Sequence, residues 1–122
     1  MRIGELAHRT GVSRRLLRYY EEQGLLHPVR LANGYRAYAD GDVATVRHIR
    51  VLLDAGLPTA VIARILHCVA DGPAQRLVTN GCPGATARLR REHARITTAI
   101  DRLDRSRRLI DGLLDPAGPR TP

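Results

Sequence analysis

Lysine, phenylalanine and tryptophan are all absent from this 122-residue chain, and cysteine occurs only twice. Four tyrosines are its entire aromatic content, so leucine, isoleucine and valine must close most of any core. No stretch approaches the roughly 20 consecutive apolar residues that a membrane-spanning helix needs. The opening MRIGELAHRTG has no apolar segment of the secretory kind. A membrane partner is therefore not expected, and the expected location is the cytoplasm. There Cys68 and Cys82 are expected as two thiols rather than as a disulfide. There is no Gly-rich phosphate loop and no nucleophile–base pairing. The histidines, His8, His27, His48, His67 and His93, are scattered without motif spacing. Neither an enzyme nor a cofactor is expected.

What the chain has is positive charge. Its 20 basic residues, every one an arginine, outnumber 12 acidic residues and give a formal charge of +8. Such an excess points to a polyanionic partner rather than to a fold. A GC-rich coding sequence also produces exclusive arginine usage, so placement tells more than number.

The order of elements follows from spacing and punctuation. Ile3, Leu6 and Ala7 give a short helix stopped near Thr10-Gly11, and Ser13 is a good N-cap for a second. Two short helices across a Gly-containing turn make a helix-turn-helix signature. Pro28, the Asn33-Gly34 turn dipeptide and the alternation in Tyr35-Arg36-Ala37-Tyr38 read as a small β-hairpin, a wing. Asp40 or Asp42 then caps a third helix carrying Val43, Val46, Ile49 and Leu53. Pro58 or Thr59 starts a fourth, with Val61, Ile62, Ile65, Leu66 and Val69 in its stripe. Residues 70 to 84 read as loop.

From about Gly84 to Leu114 the pattern is one long helix. Leu89, His93, Ile96, Ile100, Leu103, Arg107, Ile110 and Leu114 recur in steps of four and three. This narrow heptad seam between charged flanks suits a second helix better than a globular core. The expected fold is thus mainly α: a winged helix-turn-helix domain over residues 1–70, a linker over 71–83, a coiled-coil dimerisation helix over 84–114 and a disordered tail over 115–122. The residues expected to hold a homodimer are Leu89, Ile96, Ile100, Leu103, Ile110 and Leu114.

The second helix carries SRRLLRYYEEQGLL, and its periodicity sorts it into two sides. Leu16, Leu17 and Tyr20 share an apolar face; Arg14, Arg15, Arg18 and Tyr19 point away from it. The second helix of such a motif enters the DNA major groove with its first residues nearest the base edges. Arg14 and Arg15 stand there, and arginine reads guanine O6 and N7 with two hydrogen bonds. Arg18 and Tyr19 fall a turn later, toward phosphates, and the wing adds Arg30, Tyr35 and Arg36 beside the groove. Glu21 and Glu22 are expected to face solvent or pair with arginines.

IGELAHRTGVSRRLLRYYEEQGLL, followed by a proline, an arginine and NGYRAY, resembles the N-terminal region of the MerR family of bacterial transcription regulators. The resemblance runs from Ile3 to about Val69. It implies a winged-helix homodimer joined by an antiparallel coiled coil, bound to a pseudo-palindrome in promoter DNA beside RNA polymerase. Family members bend and untwist an overlong spacer there, so that an effector turns a bound repressor into an activator. An excisionase-like DNA-bending protein is the alternative, although such winged helices usually lack a long dimerisation helix.

The effector is less legible. The large C-terminal ligand domain of multidrug-type relatives is not expected, since only eight residues, DPAGPRTP, follow Leu114 here. DPAGPRTP has no cysteine or histidine for the metal loop of metal-sensing relatives, and two cysteines cannot hold an iron–sulfur cluster that needs four. Cys68 and Cys82 remain as candidates for a thiol that senses oxidants or electrophiles, Cys82 at a helix start among arginines that favour thiolate. A metal-responsive alternative would use Cys68, Cys82 and His67 or His93, although His67 and Cys68 are expected to diverge on a helix. Otherwise the effector is an unidentified small molecule.

Overall fold

The computed structural model describes residues 1–116. They divide into two units, Met1–Ala85 and the chain from Thr86 onward. The first unit is mainly helical with two small hairpins; the second is a single long helix.

Helix α1 (Ile3–Thr10) ends at Gly11, whose φ of 72° is the left-handed conformation that closes helices. Thr10 reinforces the turn: its hydroxyl donates to Leu6 O at 2.8 Å and accepts the Val12 N–H at 3.3 Å. Ser13 then caps α2 (Arg14–Glu22) by accepting the Leu16 N–H at 3.1 Å. On α2, Leu17 and Tyr20 are buried, but Leu16 is 39% exposed, which corrects its expected place on the core face. The buried stripe is the i, i+3 pair, and Leu16 sits about 100° round the helix from Leu17.

The wing follows as β1 (Val29–Arg30) and β2 (Arg36–Ala37), paired antiparallel with Val29 opposite Ala37 and Arg30 opposite Arg36. At its tip Gly34 takes φ 85°, and the Asn33 side chain accepts the Tyr35 N–H at 3.1 Å. Beyond the wing, Tyr38 donates its N–H to Met1 O at 2.6 Å and buries its ring. Asp42, the first residue of α3 (Asp42–Asp54), reaches back to accept the Ala39 N–H at 2.9 Å. Asp40 faces outward, 3.5 Å from Arg9. Helix α4 (Thr59–Ile65) tightens into a 3₁₀ turn over Leu66–Cys68. Leu6, Val12, Leu17, Tyr20, Leu25, Leu26, Tyr38, Val46, Ile49 and Ile62 form one core among these elements. Burial of each such leucine or isoleucine contributes about 1.5–3 kcal/mol.

The stretch expected as loop and linker contains a second hairpin. Strands β3 (Val69–Asp71) and β4 (Leu77–Thr79) pair antiparallel, Val69 opposite Thr79 and Asp71 opposite Leu77. Their turn places Ala74 and Gln75 at φ 56° and 60°, left-handed positions that glycine or asparagine usually fills. The hairpin is tied to α3 through Asp71, whose carboxylate pairs with Arg47 and accepts a hydrogen bond from His48 Nε2 at 2.9 Å. His48 is 8% exposed, the one buried charged or polar side chain among the described residues. The Arg47 hydrogen bond first, then that of His48, holds the Asp71 carboxyl well below the usual carboxylate range.

Helix α5 (Ala85–Leu114) is 30 residues long, which gives a rod of about 45 Å. Arg95–Glu92, Arg107–Asp104 and Arg108–Asp104 pair along it at 2.8–2.9 Å. Ile100, Leu103, Ile110 and Leu114 are all more than half exposed, and so are Leu109 and Leu113, which widen the apolar face beyond the expected seam. The tail expected to be disordered lies, after Pro116, outside the described residues. No described helix is long and apolar enough to cross a membrane.

Candidate nucleic-acid interface and cysteine centre

Burial of Leu17 and Tyr20 fixes the rotation of α2, and that rotation turns Arg14, Arg15, Arg18 and Tyr19 outward; all four are exposed. Arg14 bends back over α1: a Cβ added to Gly4 would come 2.6 Å from its Nη2. A residue with no side chain on α1 thus makes room for a guanidinium from α2. Neither α1 nor the wing buries Arg15 or Arg18, and both remain exposed.

The wing stands beside this surface and is braced to it. Arg36 Nε lies 2.7 Å from Glu21 Oε2, with both side chains largely covered. The approach is a charge contact rather than an aligned hydrogen bond, since the N–H does not point at the oxygen. Glu21 thus pairs with an arginine, as expected, but Arg36 is a strut between wing and α2 rather than a free cation. Arg30 Nη1 donates to Gly34 O at 3.4 Å, and Tyr35 is 54% exposed. Arg2, which periodicity did not single out, lies 4.2 Å over the Tyr35 ring. That stack adds another cation to the wing and orients the ring.

The second candidate centre joins the end of α4 to the segment before α5. Cys68 and Cys82 form a disulfide, with Cα atoms 5.6 Å apart, inside the range the bond allows. This corrects the expectation of two thiols. Compartment alone set that expectation; the β3–β4 hairpin, unseen in the sequence, carries the two residues to bonding distance. In this state neither sulfur titrates, so the thiolate expected for Cys82 does not exist here.

The expected divergence of His67 and Cys68 is corrected too. Over the 3₁₀ turn, ring nitrogen and sulfur stay on one side, and the donor atoms of His67, Cys68 and Cys82 all lie within 4.8 Å of one another. His93, the other candidate ligand, is exposed on α5 in the second unit. Asn80 organises the centre. Its N–H donates to Cys68 O at 3.0 Å, its side-chain amide donates to His67 O at 2.7 Å, and its Oδ1 accepts the Cys82 N–H at 3.0 Å. The Asn80-Gly81 dipeptide was the sequence signal that could have found it, because such pairs mark turns.

These features have counterparts elsewhere. The model of the MerR HTH family of regulatory proteins matches residues 1–67. The HTH-type transcriptional regulator HmrR of Sinorhizobium medicae (strain WSM419) is 46% identical over 67 residues, 54% of this chain and 46% of that protein. The HTH-type transcriptional activator SoxR homolog of Chromobacterium violaceum is 42% identical over 77 residues, 63% of this chain and 50% of that one. The chain thus spans about half the length of these relatives, which are transcriptional regulators rather than enzymes. Among solved structures, the transcription regulator PbrR691 from Ralstonia metallidurans CH34, in complex with lead(II), superposes with a TM-score of 0.64 at 27% identity. That match covers 99% of this chain and 91% of that one. With its capped two-helix turn, its wing and a family match over more than half its length, the chain belongs to the MerR HTH family of regulatory proteins.

Proposed function

We propose that the protein is a promoter-binding transcription regulator that works as a homodimer, reading DNA with α2 and clamping it with the wing. One observation carries this reading: α2 buries Leu17 and Tyr20 and presents Arg15, Arg18 and Tyr19 together on the opposite, exposed side. In this reading Arg15 contacts base edges from the first turn, while Arg18, Tyr19, Arg30 and Tyr35 contact backbone. Arg14 lies against Gly4 of α1, while Arg36 begins paired with Glu21 and braces the wing to α2 before any phosphate competes for it.

The exposed face of α5, from Ile100 to Leu114, suits a second copy of the same helix. Two heads yoked in this way hold half-sites at a fixed separation. A smooth bend of the intervening DNA costs on the order of 1–6 kcal/mol, which phosphate contacts offset. An effector needs only unequal affinity for two dimer geometries to alter that bend, and hence access of RNA polymerase to the promoter.

The test is selection of binding sites from a random duplex library with the full chain, followed by measurement of Arg15→Ala. A selected pseudo-palindrome is expected, with Arg15→Ala costing about 1–3 kcal/mol on it and relaxing preference at one base pair per half-site. Absence of any enriched sequence, or equal loss on selected and random DNA, overturns the reading.

A further inference from the structure

We propose that Cys68, Cys82 and His67 form a redox-gated site for a thiophilic metal cation, shut by the disulfide and opened by its reduction. The site belongs wholly to the first unit and does not depend on the DNA-binding reading.

Three observations support it. The donor atoms are three, and all lie within 4.8 Å of one another. The scaffold that gathers them does not include the sulfur–sulfur bond: Asn80 brackets His67 O, Cys68 O and the Cys82 N–H, and the ladder from Val69 opposite Thr79 begins at the next residue. Cleavage of the disulfide therefore leaves both thiols held side by side. Lastly, burial is graded, with Cys68 covered, Cys82 half-buried and His67 exposed. A cation enters from the histidine side and meets a buried thiolate beyond it.

The chemistry balances as follows. A cellular dithiol supplies two electrons and two protons to the disulfide, becoming a disulfide itself and leaving Cys68 and Cys82 as thiols. A divalent cation then binds while both thiols release their protons to water, and one imidazole nitrogen of His67 donates its lone pair. For Zn(II), with Zn–S near 2.3 Å and tetrahedral angles, the sulfurs would stand about 3.8 Å apart. Side-chain rotation at a Cα separation of 5.6 Å reaches that spacing. Two thiolates and a neutral imidazole cancel the charge of a divalent ion and select soft or borderline cations over magnesium or calcium. A tetrahedral ion keeps its fourth position for water.

The permanent staple is the competing account, and the two separate cleanly. The full-length chain is reduced with a phosphine under anaerobic conditions and titrated with Co(II), then with Zn(II), in the absence of DNA. One cobalt per chain is expected, with tetrahedral visible bands and a thiolate-to-cobalt charge-transfer band that zinc abolishes. The oxidised chain is expected to show neither. Cys82→Ser should lose the charge-transfer band's full intensity and most of the affinity. His67→Ala, which keeps both cysteines and hence the fold of the parent, should retain the thiolate band and bind more weakly. Asn80→Ala, which removes a positioning residue, should weaken binding by about 10–100-fold, as outer partners of metal ligands do.

A reduced chain that shows no thiolate–cobalt band overturns the proposal, whether or not it stays folded. Equal binding by the oxidised chain, or unchanged affinity in His67→Ala, overturns it too. Because the readout contains no DNA, its failure leaves the promoter-binding reading standing, and failure of site selection leaves the metal site standing.

Discussion

Reducing the Cys68–Cys82 disulfide should destabilise the first unit by an amount that chain statistics set. The bond links residues 14 apart, and a loop of about 15 residues restricts the unfolded chain by about 3 kcal/mol at 25 °C. The hydrogen bonds of Asn80 exist only in the folded state, so they do not lessen this effect; structure that persists in the unfolded state does. With a urea slope of about 1–3 kcal/mol per molar, the midpoint should fall by about 1–3 M. The assay is urea unfolding followed by far-ultraviolet circular dichroism, with and without phosphine. Protein concentration must be held fixed, because a dimer's midpoint depends on it. A double Cys68→Ala, Cys82→Ala variant should unfold near the reduced parent and ignore the reductant. Coincident midpoints for oxidised and reduced parent would refute the reasoning, since they would mean that the hairpin segment lies outside the cooperative unit.

Other elements yield tests of their own. Asp71→Asn should destabilise the protein at about pH 7. The Asp71 carboxyl is held below its usual value near 3.9, so its contribution is complete above that pH and is lost as pH falls through the depressed value. The gap between parent and variant should therefore start to narrow as pH falls below about 4 and close only below the depressed value; a gap independent of pH would contradict the tether to Arg47 and His48. Ala74→Gly should stabilise by about 0.5–1 kcal/mol, since glycine relieves a left-handed alanine at some cost in unfolded-chain entropy. A lower midpoint in urea would argue against that turn. Ile100→Glu, on the exposed face of α5, should give monomers with poor affinity for a selected duplex; a dimer surviving in sedimentation equilibrium would show the wrong face.

The first half of the chain was readable because its signals are strong and redundant. Gly11 and Ser13 punctuate α1 and α2, Asn33-Gly34 marks the wing tip, and steps of three and four run through α3 and α5. The second hairpin was not readable for equally physical reasons. Its strands have three residues each, too few to establish alternation, and its turn puts Ala74 and Gln75 where the usual turn residues would have announced it. Everything that hairpin organises was lost with it: the partner of buried His48, the bracket made by Asn80, and the meeting of Cys68 with Cys82. The error at Leu16 was of another kind. Two adjacent leucines cannot both lie at the centre of a helical stripe, and only contact with Tyr20's neighbours decides which one does.

Gly4 gives the head an adjustable inventory of outward charge. The Arg14 guanidinium rests where a methyl group on residue 4 would stand, and only the flexible end of that side chain would need to move. One carbon atom there would evict the cation toward whatever the surface faces. Homologues differing at this single position would then differ in their general grip on polyanions while keeping the proposed reader, Arg15, unchanged.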